Sequence, residues 1–393
     1  MSDAACRLLG MAEIKFLHTA DLQLGMTRYF LDSDAQARYD SARITVISTL
    51  GELAREQGCA FIVVAGDVFE SNNLSRRTVG RSLQAFGEVG LPIFLLPGNH
   101  DPLEPGSIFD SGIYKREWPH NLHVLRGEPL PVPGLENVVI HGAPWTSKNP
   151  LGSPLNPVLG EGYVVDKTLT NILVGHGAVD SLAPDPLAVG VIKEAPVEEA
   201  VRAGKFDYVA LGDRHSTAEV GGTGRIWYSG SPEVTAFRDK DAGNALVVTV
   251  DDAITVESHR VGTWRFVRVP PELRELHSAQ DVADLDAYLA SLPNPALTAV
   301  RHELSGALSL AELAELEEVL ERHGHVLGSI GARESTARLV TVPSAEDLAS
   351  LQLTGYAATA LTELQQDLAG DGEQSTVAAG ALQLLHRIVQ EEK

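Results

Sequence analysis

The sequence predicts a layered α/β fold, and three observations predict it. Between Glu13 and about Val256, short apolar runs alternate with polar or helical stretches. Several of those runs are continuously apolar, as strands buried on both faces are. Finally, the notable acids, amides and histidines fall just after the runs, where the carboxyl ends of strands in an α/β sheet open on a shared crevice.

In chain order the strand candidates are Ile14–His18, Phe61–Ala65, Pro92–Leu96, Val138–His141, Ile172–Val174, Tyr208–Leu211, Arg225–Tyr228 and Ala245–Val250. Between the first two lies a helix whose Tyr39, Ala42, Val46, Leu50 and Leu53 recur at helical spacing. Such alternation builds helices onto a mostly parallel sheet. After Thr263 the character changes. Trp264–Val269 reads as a strand ended by Pro270-Pro271. Ser309 and Glu312 form a capping box that opens a helix with Leu313, Leu316 and Leu320 inward and Gly324 as its stop. A polar stretch at 370–375 then separates two short helices, the last with Leu382, Leu385 and Val389 on one face.

At 393 residues the chain exceeds the usual size of one hydrophobic core. The expected division is a loose, disordered leader at 1–12, a large α/β domain at 13–262, a small α+β module at 263–345 and a helical tail at 346–393, the tail docking either on a partner or back on its own domain. Met11 directly precedes the first strand and is a candidate true start. No apolar run approaches the roughly 20 residues of a membrane span, and the opening segment lacks the apolar core of a secretion signal. The two cysteines, Cys6 and Cys59, offer no disulfide framework, which fits a reducing cytoplasm. The formal charge of −22 is unlike the basic footprint of a nucleic-acid binder, although bound cations and local arginine clusters reverse the field where they sit.

Five loops carry the chemistry. Asp21 follows FLHTA, Gly66-Asp67 follows FIVVA, Gly98-Asn99-His100-Asp101 follows IFLLP, Gly175-His176 follows ILV, and Gly212-Asp213-Arg214-His215 follows YVAL. A single Asp or Asn after a strand is commonly a turn former or helix cap, and only the joint pattern overrides that reading. Carboxylate, amide and imidazole together suit a divalent ion such as manganese, iron or zinc better than a calcium cage does. Phosphate-ester hydrolysis commonly uses two such ions about 3.5–4 Å apart, bridged by one carboxylate.

The set D-x, G-D, G-N-H-D, G-H and G-x-x-H resembles the calcineurin-like metallophosphoesterase superfamily, with GNHD and GDVF its most specific elements. Within it, the FLHTADLQLGM opening, YVALG and YSGSPE look like the SbcD family of DNA-repair nucleases, over a likeness running from about residue 13 to the C-terminus. The resemblance implies a four-layer α/β/β/α metallophosphoesterase domain, a small α+β capping module and a C-terminal helical tail. It implies that Asp21, Gln23, Asp67 and His215 hold one metal, and that Asp67, Asn99, His176 and Asp213 hold the other, with Asp67 as bridge. Manganese comes first among the cofactors, with iron, zinc or magnesium as alternatives, and a metal-held water or hydroxide is the nucleophile. His100 then stabilises the pentacovalent phosphate and assists the leaving oxygen, with Asp101 orienting its ring. The implied activity is DNA phosphodiester hydrolysis, double-strand exonuclease and single-strand endonuclease, in a homodimer joined to an SbcC-like coiled-coil ATPase for double-strand-break repair. The chain itself has no GxxxxGK[ST] loop.

Two positions depart from the family pattern. Gln23 and Asp213 stand where histidines are usual, which makes the expected site harder and richer in oxygen. They motivate one rival, a catalytically weakened scaffold that binds DNA ends; the acidic charge motivates another, a phosphodiesterase of nucleotides or small esters. Arg76, Arg77 and Arg81 open a helix after the GDVF loop and either meet a phosphate backbone or form a solvated face. Tyr228 and Ser231 are expected in the substrate groove on resemblance alone. His18 and His141 read as core groups, and His120, His123, His302, His323, His325 and His386 as surface residues.

Overall fold

The computed structural model describes residues 13–251, 253–332, 338–341, 355–368, 377–378 and 381–382. The expected leader lies outside these residues, as do Leu385 and Val389 of the terminal stripe. The chain divides into two compact units. The first runs to Trp264 except for Phe30–Ala35, which belongs with the second unit from Arg265 onward.

In the first unit, one six-stranded sheet has the order β12-β11-β1-β2-β3-β4, formed by Ile254–Arg260, Asn244–Val250, Ile14–Thr19, Phe61–Val64, Ile93–Leu95 and Leu122–Val124. β1 to β4 run parallel, and β11 and β12 add antiparallel strands. The second sheet has the order β5-β6-β7-β8-β10-β9, formed by Leu130–Val132, Leu135–Ala143, Thr170–His176, Tyr208–Gly212, Ile226–Tyr228 and Ala218–Glu219.

Alternate residues of each strand serve different cores, as the period of two requires. Phe16, Phe61, Val63 and Phe94 of the first sheet pack with Ile140, Ile172, Val174 and Ala210 of the second. Leu17, Ile62, Val64 and Leu95 face Val46, Leu50, Leu83 and Phe86 of the helices Ser33–Glu56 and Arg76–Val89. Leu173, Val209 and Leu211 face Val197 and Val201 of the helix Glu194–Arg202. The layers are therefore α/β/β/α. β4, β5, β9 and β12 have no counterpart among the eight sequence candidates for this region; they are short or half-exposed edge strands without a continuous apolar run.

The second unit holds two parallel three-stranded sheets and the helices Ala279–Ser291 and Leu310–Gly324 around Leu285, Leu289, Val300, Leu308 and Leu316. The Ser309–Glu312 capping box forms as the sequence indicates. Gly324 is the last helical residue rather than the stop beyond it, because His325 caps the end in a right-handed conformation. His323 is not a surface residue: it is buried, with Nε2 2.7 Å from an Asp286 carboxylate oxygen.

His18 lies in the core with Nδ1 3.1 Å from the Tyr208 hydroxyl, and burial depresses its pKa from 6.5 to about 3. A depressed base is neutral in the fold while the unfolded chain takes up a proton below 6.5, so this part of the stability is complete above that pH and lost between 6.5 and about 3. The loss reaches about 2 kcal/mol at a pH of about 5. Thermal unfolding of the chelated protein is expected to weaken on acidification by more than in His18→Gln; equal slopes would contradict it.

Candidate metal centre

The loops after β1 and β2 continue side by side beyond the strands: Asp21 N donates to Gly66 O at 3.0 Å, Gln23 N to Asp67 O at 2.8 Å and Leu24 N to Val68 O at 3.0 Å. This brings Asp21 and Asp67 together. β7 and β8 deliver His176 and Asp213, and the Asp213 N–H donates to the Asp21 carboxylate at 3.1 and 3.2 Å. Ligand atoms of Asp21, Asp67 and His176 all lie within 4.8 Å of one another, and all three residues are buried. His176 Nε2 lies 2.9 Å from Asn99 Oδ1, 3.4 Å from Asp67 Oδ1 and 3.9 Å from Asp213 Oδ1, while His215 Nε2 lies 3.9 Å from Asp21 Oδ1.

The backbone marks the same residues. Among the described residues five non-glycine positions have positive φ, and four of them are expected ligands: Asp21 at 55°, Gln23 at 40°, Asp67 at 51° and Asp213 at 95°. Left-handed backbone is costly outside glycine and gathers where a functional geometry is over-determined. Close approach sets the neighbouring glycines. A Cβ on Gly98 would stand 2.1 Å from Asp67 Oδ1, and one on Gly66 2.1 Å from His176 Nδ1.

Both histidines are held in one tautomer. His176 Nδ1 donates to the Ala65 carbonyl at 2.8 Å, so its Nε2 is aimed among Asn99, Asp67 and Asp213. The Thr235 hydroxyl donates to Asp239 at 2.8 Å, so it accepts from His215 Nδ1–H and leaves Nε2 free on the side of Asp21. A ring nitrogen fixed by its other N–H is how proteins present imidazole to a metal.

Electrostatics fit a cation. Burial, with Asp67 and Asp213 nearby, pushes the Asp21 carboxyl well up, and burial also raises Asp213. Burial works against the charged form of His176, but Asp67, Asp21 and Asp213 outweigh it and raise the imidazole well above 6.5. Burial likewise works against the Asp67 anion, but His176 and His100 outweigh it and hold the carboxyl low. Burial lowers His215 to about 4, leaving it neutral and able to ligate near neutrality. The buried Gln23 Oε1 has no hydrogen-bond partner. An unsatisfied amide oxygen, two imidazoles held through Nδ1 and three crowded carboxylates are suited to divalent ions, which would take the place of the proton at His176 Nε2.

One expectation is corrected by geometry. Asp101 does not orient His100: its carboxylate accepts from Phe69 N at 2.9 Å and Gly98 N at 2.8 Å, tying the GNHD loop to the GDVF loop. Burial, with Asp67 nearby, pushes that carboxyl up to about 7. His100 is anchored by Glu70, whose carbonyl accepts from Nδ1 at 3.1 Å. Ser231 is buried, and Tyr228, also buried, lines the cavity beside Asp213 and His215. The Tyr228 hydroxyl donates to Gly177 O at 2.7 Å and accepts from Val179 N at 2.9 Å, while Ser231 N donates to His215 O at 3.1 Å, so each braces a ligand loop. Arg76 and Arg77 are exposed at the start of the helix Arg76–Val89, and Arg77 lines a different cavity from the one beside Asp213.

Sequence reasoning missed Glu70, Thr235, Asp239 and above all Arg43. Arg43 is 1% exposed, and its guanidinium donates to the carbonyls of Asp21 and Gln23 at 3.3 Å, to that of Leu22 at 2.6 Å and to the Tyr39 hydroxyl at 2.8 Å. The signal was present: residue 43 follows Tyr39 by one helical turn, and a charge at an inward position needs a partner.

The chain is similar to the DNA double-strand break repair protein Mre11 of Methanosarcina mazei, 24% identical over 326 residues that cover 79% of this chain and 48% of that protein. It thus spans about half the length of that curated relative. Among solved structures, TT1561 of Thermus thermophilus aligns with a TM-score of 0.38 and 13% identity, covering 64% of this chain and 100% of its own. GAP50, the anchor in the inner membrane complex of Plasmodium, aligns with a TM-score of 0.39 and 11% identity, covering 64% and 85%. The family model described as calcineurin-like phosphoesterase matches residues 14–217, more than half of the chain, beginning with β1 and ending just past His215. With its ligand loops arranged at the ends of two facing sheets, the chain belongs to the calcineurin-like phosphoesterase family.

Proposed function

We propose that this protein is a metal-dependent DNA nuclease, the nuclease subunit of an SbcCD-like repair complex acting in the cytoplasm as a homodimer with a coiled-coil ATPase. The observation that carries the hydrolytic part is the convergence of Asp21, Asp67 and His176 beside His100. The similarity to Mre11 supports DNA as substrate. Among the described residues no helix is long and apolar enough to cross a membrane.

In this reading Asp21, Gln23, Asp67 and His215 hold one divalent ion and Asp67, Asn99, His176 and Asp213 the other, with manganese the first candidate. Bound there, the ions supply Lewis acidity toward the phosphoryl oxygens and lower the pKa of water. The protein's own part is positional and protic. The Gly98 approach and the His100 N–H, which donates to Asp67 Oδ1 at 3.0 Å, fix the Asp67 carboxylate. Glu70 holds the His100 ring at Nδ1, and Nε2 lies 3.9 Å from Asp67 Oδ2. A proton held at Nε2 passes to the departing alkoxide oxygen as the P–O bond breaks.

A manganese-supplemented time course on linear duplex DNA, single-stranded DNA and bis-p-nitrophenyl phosphate, run beside His100→Ala, tests this reading. Cleavage of DNA, reduced on the order of a hundredfold in the variant, is the expected outcome. Turnover of the small ester alone would replace DNA by nucleotides or small esters, a reading the charge of −22 favours. Inactivity on all three, with an SbcC-like partner and ATP present, would leave the scaffold reading that Gln23 and Asp213 motivate.

A further inference from the structure

We infer that the crevice on the Asp213 and His215 side of the metal centre carries a second phosphate subsite, formed by Arg214, Arg238 and Lys240, which takes a phosphate next to the scissile one along a polynucleotide backbone. The inference rests on the phosphoester hydrolysis proposed above and extends it to the class of substrate.

A cavity of about 560 Å³ opens beside the metal ligands, and its wall holds Asp213, His215 and these three cations. Arg214 is half-buried, and Arg238 and Lys240 are exposed. Among the described residues none of the three forms an ion pair within 4.0 Å, whereas the histidine between them contacts both Asp21 and Asp239. Arg214 Nε is buried without a hydrogen-bond partner, so a donor waits at the wall for an acceptor that the fold does not supply.

The acids sharing the wall are already engaged. Asp239 Oδ2 accepts from Thr235 N, Thr235 Oγ1 and Ala236 N, and Asp241 Oδ1 accepts from Asn244 Nδ2. Asp213 is an expected metal ligand, and Arg238 acts on it through space. Three cations left without partners in a chain of 53 acidic and 31 basic residues are a local reversal of the overall field.

An ester with one phosphate, placed on the metal ligands, leaves these groups without an anion. A backbone running out of the centre brings a further phosphate to each side of the scissile one, and guanidinium binds such oxygens by charge-assisted hydrogen bonds. Because the net charge of −22 repels a polyanion, locally positive groups such as these are needed for backbone contact. A nucleoside polyphosphate offers the same chemistry in a shorter molecule, and the measurement separates the two.

The experiment uses the full chain, Arg238→Ala/Lys240→Ala and, separately, Arg214→Gln. Fluorescence anisotropy of a labelled single-stranded oligonucleotide in chelator reads binding without turnover. The slope of log K against log salt is expected to shrink by about 0.7 in the double variant, for the one phosphate contact removed. With manganese, kcat/KM for the oligonucleotide relative to that for bis-p-nitrophenyl phosphate is expected to fall on the order of tenfold in each variant. An unchanged slope together with an unchanged ratio overturns the subsite. Competition by ATP that depends on the three cations, with oligonucleotide binding indifferent to them, overturns the polynucleotide assignment. If the unsubstituted protein hydrolyses neither substrate, the hydrolytic reading fails, while the salt slope still decides whether the cations bind a backbone.

Discussion

Exchange of Asp67 for asparagine is expected to lower phosphodiester turnover by about a thousandfold, equivalent to about 4 kcal/mol of activation free energy. Asp67 is the proposed bridge between two ions. Its backbone conformation is left-handed, its carboxylate accepts the His100 N–H, and it stands 3.4 Å from His176 Nε2. An amide would offer a neutral oxygen where a pair of cations would call for an anionic ligand. The effect is also readable without catalysis. Saturating manganese at about 100 times its dissociation constant stabilises a binding fold by about 2.7 kcal/mol, so the melting temperature of the unsubstituted protein rises across a manganese titration. Asp67→Asn is expected to lose most of that rise. A variant that keeps both its manganese-induced shift and its turnover would refute the bridging role.

Arg43→Leu is expected to be the most damaging change away from the ligands. The guanidinium satisfies three successive carbonyls of the loop that presents Asp21 and Gln23, two residues whose backbone is left-handed. Leucine fills part of the space and provides no donor, leaving buried carbonyls at about 1–3 kcal/mol each for those that find no water, or on the order of 3 kcal/mol in all. That corresponds to a fall of roughly 6–12 °C in the melting temperature of a unit of this size. Arg43→Lys keeps the charge and one or two of the donations and is expected to recover part of the loss. The change also loosens the conformation of Asp21 and Gln23, so manganese affinity should fall further than the stability loss alone explains. Unaltered melting and manganese affinity in Arg43→Leu would show that the loop holds its shape unaided.

The layered fold was legible because its strands are buried on both faces and therefore read as continuous apolar runs, as at FIVV and ILV. The edge strands were not, since Leu122–Val124 and Ile254–Arg260 are partly exposed and tolerate polar residues. Of the site, the sequence pointed to the residues that the loops after β1, β2, β3, β7 and β8 bring together, because position after a strand decides which crevice a side chain reaches. What it could not convey is direction. Asp101 adjoins His100 in the chain yet turns its carboxylate onto the backbone of two loops, and Glu70, thirty positions away, takes the ring instead. Ser231 likewise sits near the site in sequence pattern but acts from beneath it. Arg43 lay within reach of sequence reasoning: the inner stripe of its helix runs through residue 43, which is buried, rather than through Ala42, which is half-exposed.

The hydrogen bond from Asp213 N to the Asp21 carboxylate closes a loop of 192 positions. At a synthesis rate of about 5–20 residues per second, roughly 10–40 s separate the emergence of the two residues from the ribosome. During that interval the first carboxylates exist without the strand that completes their surroundings, so a nascent chain halted before Tyr208 has Asp21, Asp67 and His176 but lacks Asp213 and His215. Completion of the candidate centre is in this sense a late event in the biosynthesis of the chain, set by the arrival of β8 and the loop after it.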